Sequence, residues 1–303
     1  MTLGGFRLGP LLKNTAREIG ADHVTSLAAS AAYNFFFSLF PLLLFLAPLL
    51  SVVGDKQAMV GFLMTQLTSV MPREQLEAIQ PVLTNIVFAK NAPGLMSIGA
   101  LLAAWSGSTV FGSLIGSLNT AYDVEETRPW WKQQAIRLGV FALAAVILIL
   151  TTIIFLGGED IANRIGGWLH LGGTFVTIWK IIQFPLAILG LFGLAFVMIY
   201  FLPNLKQRKA YALVGAGITT ALWLFATLLF RLYIQHFPPN PAYGIIGGVI
   251  ILLTWMYYTM FVMLVGGELA SELHHGTGAI DPREGAVYHG RLVTDAGPEP
   301  HKS

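Results

Sequence analysis

Glu268 and Glu272 stand four residues apart near the end of the last long apolar run, a spacing that puts both carboxylates on one face of a helix. Their mutual repulsion calls for a proton, a cation or a basic partner, and Arg128, Lys132 and Arg137 are the basic side chains expected at that depth. Two roles fit the pair: a salt-bridged anchor that fixes helix ends, or a latch that responds to protons or cations. Tyr33, Asn34 and Asn119 are expected at the same level, so that with Arg137, Glu268 and Glu272 they form a polar cluster in one half of a helical bundle. Ionisable and amide groups are expensive in lipid and turn inward toward partners, which makes such a cluster the place to look for function. Nearer the middle come Ser38, Ser106, Ser108 and Thr254, whose hydroxyls hydrogen-bond between helices or line a thin polar path, with Trp105 beside them. Pro41 interrupts the first apolar run close to Ser38 and Asn34, which predicts a kink and a discontinuous site there.

The stretch Arg128, Pro129, Trp130, Trp131, Lys132 joins charge to interfacial rings and suits anionic lipid headgroups, although such rings are first of all membrane anchors. Arg231 lies near the opposite end of its run, too far along the membrane normal to meet Glu268, and is placed to snorkel or to bind a headgroup.

The elements that must position these groups are six apolar runs, roughly Leu27 to Val53, Leu95 to Ala121, Leu138 to Leu156, Ile181 to Leu202, Tyr211 to Ile234 and Gly244 to Val265. Each holds the roughly 20 apolar residues that cross a hydrocarbon layer. Composition agrees, with 55% hydrophobic and 11% charged residues in 303 and a mean hydropathy of +0.66. The fold class expected is all-α, a polytopic membrane bundle of six transmembrane helices with amphipathic N-terminal and periplasmic interfacial helices. Residues 1–25 read as a cytoplasmic amphipathic segment, because Leu11, Leu12, Thr15, Ile19 and Val24 recur at roughly helical spacing. Residues 26–275 form the membrane domain, within which 54–93 reads as a periplasmic helical hairpin, and 276–303 as a flexible polar tail. Glycines such as Gly107, Gly112, Gly116, Gly215, Gly217, Gly247 and Gly248 are expected to let backbones approach closely.

If all six runs cross, twelve of the 18 basic residues fall on the side of the termini and six on the other, which places both termini in the cytoplasm. The absence of cysteine excludes disulfides, thiolate nucleophiles and cysteine-ligated metals. No phosphate-cradling GxxxxGK[ST] loop is present, and the seven histidines show no spacing that assembles a hydrolytic metal centre. No cofactor and no nucleic-acid partner are expected.

Three stretches then stand out together: Ala28 to Pro41, Trp105-Ser106-Gly107-Ser108 leading to Asn119 through Lys132, and Tyr243-Gly244 leading through Trp255 to Gly266-Gly267-Glu268-Leu269. In order and spacing they resemble the YihY/virulence factor BrkB family of bacterial inner-membrane proteins, over about residues 10 to 275. Asn34 departs from the aromatic or hydroxyl residue that the family often carries there. The resemblance implies an inner-membrane, multi-pass protein and brings several labels: ribonuclease, transport-related factor, virulence factor, lipid translocation and cation/proton exchange. A nuclease needs a water-exposed site and a basic track, and neither is visible in these residues. The readings that remain are a transporter of a lipid or other amphipathic substrate along a polar groove, a cation/proton antiporter acting through Glu268, and a non-transporting envelope scaffold. The expected partners are membrane lipids, with a homodimer or envelope proteins left open.

Overall fold

A computed structural model describes residues 2–3, 6–53, 92–156, 172–236, 244–275, 281–282, 287–288 and 291–292. The hairpin expected over 54–93 lies outside these residues except for Ala92 and Pro93, which instead begin a long helix, and most of the tail lies outside them as well.

The chain is helical almost throughout the described residues. The helices are α1 (Leu8–Ala21), α2 (Val24–Val53), α3 (Ala92–Ala121), α4 (Trp130–Leu156), α5 (Gly172–Phe201), α6 (Lys209–His236) and α7 (Gly244–His275). Lipid offers no hydrogen bonds to a backbone, so a segment this apolar must satisfy its amides internally, and a helix does so. Five stretches, Ser97–Ala121, Trp130–Thr151, Thr177–Phe201, Lys209–His236 and Ile246–His274, are long and apolar enough to cross a membrane, and α2 extends over 30 residues. The architecture is an all-α membrane bundle.

Most of the helices outrun the apolar runs. α4 starts at Trp130 rather than Leu138, taking in Lys132 and Arg137, and α7 continues beyond Val265 to His275. α2 runs unbroken through Pro41, where a discontinuous site was expected, and Pro185 lies inside α5.

Two compact units divide the chain, and each has its own packing. The first comprises residues 1–27, 114–224 and 261–303, and the second 28–113 and 225–260. In the first unit α6 meets α7 where neither backbone carries a side chain: a Cβ at Gly215 would lie 2.8 Å from both the Ala270 Cβ and the Gly266 carbonyl oxygen. A Cβ at Gly266 would run into the Thr219 hydroxyl, and one at Gly267 into the Leu118 side chain. The expectation of close approach thus holds at Gly215; Gly266 and Gly267 join it, whereas at Gly116 and Gly248 a Cβ would meet nothing within 4 Å. α4 and α5 pack along one another, with Ile147 3.3 Å from the position of a Cβ at Gly190.

α1 is amphipathic as expected, and part of its apolar surface is covered by protein: Leu11 packs with Leu269 and Leu273 of α7, flanked by Tyr211, Val214 and Ile218 of α6, while Leu12 is exposed. Thr15, on the same face, is buried and donates its hydroxyl to the Leu11 carbonyl at 3.0 Å. His23, with a positive φ of 51°, lies between α1 and α2, and its carbonyl accepts the first α2 amides, from Ser26 and Leu27.

Short strands complete the first unit. β1 (Thr2–Leu3) pairs with β2 (Phe6–Arg7), β3 (Leu205–Lys206) with β4 (Asp281–Pro282), and β5 (Val287–Tyr288) with β6 (Arg291–Leu292), all antiparallel. The second pair ties a piece of the C-terminal tail to the α5–α6 connection.

Candidate functional site

The polar residues at the ends of α3 and α5 form a closed knot in the first unit. α3 terminates in a Schellman-type cap with Asp123 in the left-handed region at φ 52°; the Asp123 amide donates to Thr120 O at 2.9 Å and that of Val124 to Asn119 O at 3.0 Å. The turn that follows presents Glu126 and Arg128 to each other as a bidentate pair, Arg128 Nε to Oε1 at 2.7 Å and Nη2 to Oε2 at 2.5 Å. Arg128 also donates to the Leu202 carbonyl at 2.7 Å and to that of Phe201 at 3.5 Å. A cation thereby caps the negative end of the α5 dipole and satisfies carbonyls that a helix C-terminus leaves without partners.

Asn119 stitches the two connections together: its Nδ2 donates to Glu126 Oε2 at 3.0 Å, while its Oδ1 accepts the Asn204 amide at 2.7 Å. Asn204 returns donors to the Glu125 carbonyl and the Thr127 hydroxyl at 3.0 and 2.9 Å. Gln207 donates to the Ile199 carbonyl and accepts the Tyr122 hydroxyl at 3.1 Å. Burial pushes the Tyr122 hydroxyl up, with the Glu268 charge adding to it, so the phenol remains a donor. Burial alone would raise Glu126, but the hydrogen bonds and charge of Arg128, followed by the Asn119 bond, outweigh it and hold this carboxylate below its ordinary range.

The second group in this unit is acidic. Glu268 is 1% exposed, and its Oε1 has no hydrogen-bond partner. Asp22, in the turn after α1, brings its carboxyl within side-chain reach of Glu268, and Glu18 and Asp123 add charge from α1 and from the end of α3. Burial, then the charge of Asp123, pushes the Asp22 carboxyl up. His274 is fully buried six residues further along α7, its ring edge-on to Tyr211 at 4.8 Å and to Tyr122 at 6.1 Å between centroids.

These positions correct the expected partners of Glu268. Arg128 is committed to Glu126 and the end of α5, and Arg137 donates to Gln133 at 3.1 Å within its own helix. Lys132 is exposed, and Glu272, partly buried on α7, stands beside Glu268 without supplying the charge it needs. The Glu268 carboxyl thus faces a third carboxyl, that of Asp22, because α1 packs onto α7 through Leu11.

The headgroup expectation divides as well. Trp130 and Trp131 are exposed, like Lys132, whereas the Arg128 guanidinium is buried in the knot and unavailable to a lipid, because the α5 carbonyls and Glu126 outbid solvent for it.

In the second unit the expected pathway residues sit on α2, α3 and α7. Asn34 Nδ2 meets the Ser113 hydroxyl at 2.5 Å. Ser113 belongs to a hydroxyl stripe on α3 with Ser106 and Thr109, spaced by three and four residues; the Ser106 Oγ is buried with no hydrogen-bond partner. Ser38 and Ser108 turn their hydroxyls to the carbonyls of Phe35 and Trp105, both at 2.7 Å, and Thr254 to that of Ile250 at 2.7 Å. Tyr33, Phe37 and Phe40 make an exposed aromatic ladder along α2, with ring centroids 4.5 and 5.9 Å apart between successive members. Pro41, half-buried, follows this ladder; Trp105 and Arg231 are exposed.

Sequence reasoning missed Asp22, Tyr122, Glu126, Asn204, Gln207, His274, Thr109 and Ser113. The run of polar residues Asn204, Lys206, Gln207, Arg208 directly after an apolar run was the available signal for the knot. The period of Ser106, Thr109 and Ser113 was the signal for the stripe.

A helical membrane bundle carrying these motifs matches the family model described as virulence factor BrkB, over residues 15–286. The chain belongs to the BrkB family. It is similar to the ribonuclease-like protein YfkH of Bacillus subtilis (strain 168), at 28% identity over 255 residues that cover 82% of this chain and 90% of that protein. No solved structure matches the chain significantly. The BrkB family is not a defined class of enzyme.

Proposed function

We propose that this BrkB-family protein is a transporter that moves a lipid or another amphipathic substrate across or within the bacterial inner membrane, with both termini in the cytoplasm. The observation that carries this reading is the α3 stripe of Ser106, Thr109 and Ser113, joined by Asn34, in the unit that also exposes the Tyr33–Phe37–Phe40 ladder. Hydroxyls and an amide at membrane depth accept a headgroup, and aromatic faces open to the bilayer accept its chains. Trp130, Trp131 and Lys132 serve as the interfacial headgroup contacts. Arg231 has the same role at the opposite membrane surface. The twelve-to-six distribution of basic residues supports the orientation.

A second reading, cation/proton exchange, is favoured by the buried Glu268 facing Asp22. Ribonuclease-like activity is not assigned, since Arg128 and Arg137, which a nucleic-acid backbone would need, are turned toward Glu126 and Gln133.

Purified protein in liposomes carrying labelled phospholipid tests the proposal. Redistribution between leaflets above that of protein-free vesicles, reduced by Ser106→Ala and Asn34→Ala, is the expected result. No redistribution together with proton release on adding sodium or potassium would favour exchange instead.

A further inference from the structure

We propose that Asp22 and Glu268 form a one-proton site that fastens α1 to α7, so that losing the proton releases α1. The site joins two elements already in apolar contact through Leu11, Leu269 and Leu273. Glu268 is buried with its Oε1 lacking a hydrogen-bond partner, and the Asp22 carboxyl lies within its reach. Two carboxylates so placed repel each other, whereas one proton between them turns the contact into a strong O–H to carboxylate hydrogen bond.

The surroundings leave the pair dependent on that proton. From α1 comes Glu18, which is ion-paired with Arg17 at 3.0 Å; after α3 come Asp123 and the Tyr122 phenol. α7 itself contributes Glu272 and His274, and α6 contributes Tyr211 against the His274 ring. Two influences favour an ionised Asp22, the hydrogen bond with Glu268 itself and, more weakly, the charge of His23, and burial together with the Asp123 and Glu18 charges outweighs them. Arg128 and Arg137 are engaged elsewhere. The Asp22 carboxyl is pushed up, chiefly by burial, so the docked state holds its proton more tightly than an undocked one. Docking is therefore complete at low pH and weakens as pH rises through the range in which the docked pair ionises.

Because the native chain has no cysteine, spin labels can be placed cleanly at Lys13→Cys on α1 and Lys209→Cys at the start of α6, both exposed and both in the first unit. Pulsed electron spin resonance on the full chain in nanodiscs, without cargo, then reads docking independently of transport. A single short distance is expected at acid pH. On raising pH the long-distance population should grow on the order of tenfold, which corresponds to about 1.4 kcal/mol. Asp22→Asn and Glu268→Gln, which remove the repulsion, should keep the distance short at every pH. Should Glu268→Gln not fold, Asp22→Asn decides alone. An unchanged distance in the native chain overturns the proposal, as does a native-like pH response in Asp22→Asn. Restoration of the short distance by sodium at high pH, to the same extent as by acid, would also overturn it, because the site would then hold a cation.

Discussion

The first unit contains two clusters of buried polar groups, built on opposite terms. Around Arg128 the guanidinium, the Glu126 carboxylate, the Asn119 and Asn204 amides and the carbonyls ending α5 all find partners. At Glu268 a carboxyl more deeply buried than that of Glu126 faces further carboxyls and leaves one oxygen without a hydrogen bond. A satisfied network can be explained by stability alone; a charged group buried without a counter-charge costs stability and persists where something else needs it. The contrast makes the knot architectural and, on the proposals above, leaves the acidic cluster as the group that serves function.

Breaking the knot should have the largest effect. Arg128→Ala strands Glu126 and the carbonyls of Phe201 and Leu202, a loss of about 3–5 kcal/mol by analogy with broken buried pairs. Thermal unfolding in detergent should show a large drop in midpoint, and Arg128→Lys should recover only part of it, since an ammonium cannot form the bidentate pair. Asn204→Ala, which removes two side-chain donors, should cost less, about 1–3 kcal/mol in the same measurement.

The helix crossing separates packing from charge. Gly215→Ala drives a methyl against Ala270 and the Gly266 carbonyl and should lose about 1–3 kcal/mol, whereas Gly193→Ala, with open space at its Cβ, should leave the midpoint unchanged.

Acidity should act on the two clusters with opposite sign. Glu126 has a lowered folded-state pKa, so its contribution is full above the unfolded carboxylate range and is lost as pH falls through the folded value. Asp22 has a raised one, so its contribution is present at low pH and disappears as pH rises through the folded value. Stability curves of Glu126→Gln and Asp22→Asn should thus flatten at opposite ends of the pH range, and flattening at the same end would remove the distinction between the clusters.

How far these clusters were legible in the sequence follows from the physics of each. The apolar runs marked every long helix because lipid imposes one requirement on the backbone. They undershot α4 and α7, since Lys132, Arg137, Glu268 and Glu272 are helical without being apolar, and the end of such a helix is set by caps such as the turn at Asp123. Glu268 was recognisable as an expensive group in an apolar context. Its partner was not, because Asp22 lies at the other end of the chain and reaches Glu268 only once Leu11 docks on Leu269 and Leu273. Arg128 was misjudged for the same reason: beside Trp130 and Trp131 it looks interfacial, and only the fold brings the end of α5, more than 70 residues away, against it.

The claim that Glu268 serves function at the expense of stability is tested most directly by one variant measured twice. Glu268→Gln should unfold at the native temperature or above it in lipid nanodiscs, yet lose leaflet redistribution of labelled phospholipid in vesicles. A midpoint lowered as far as in Arg128→Ala, with transport intact in the fraction that remains folded, would contradict the account.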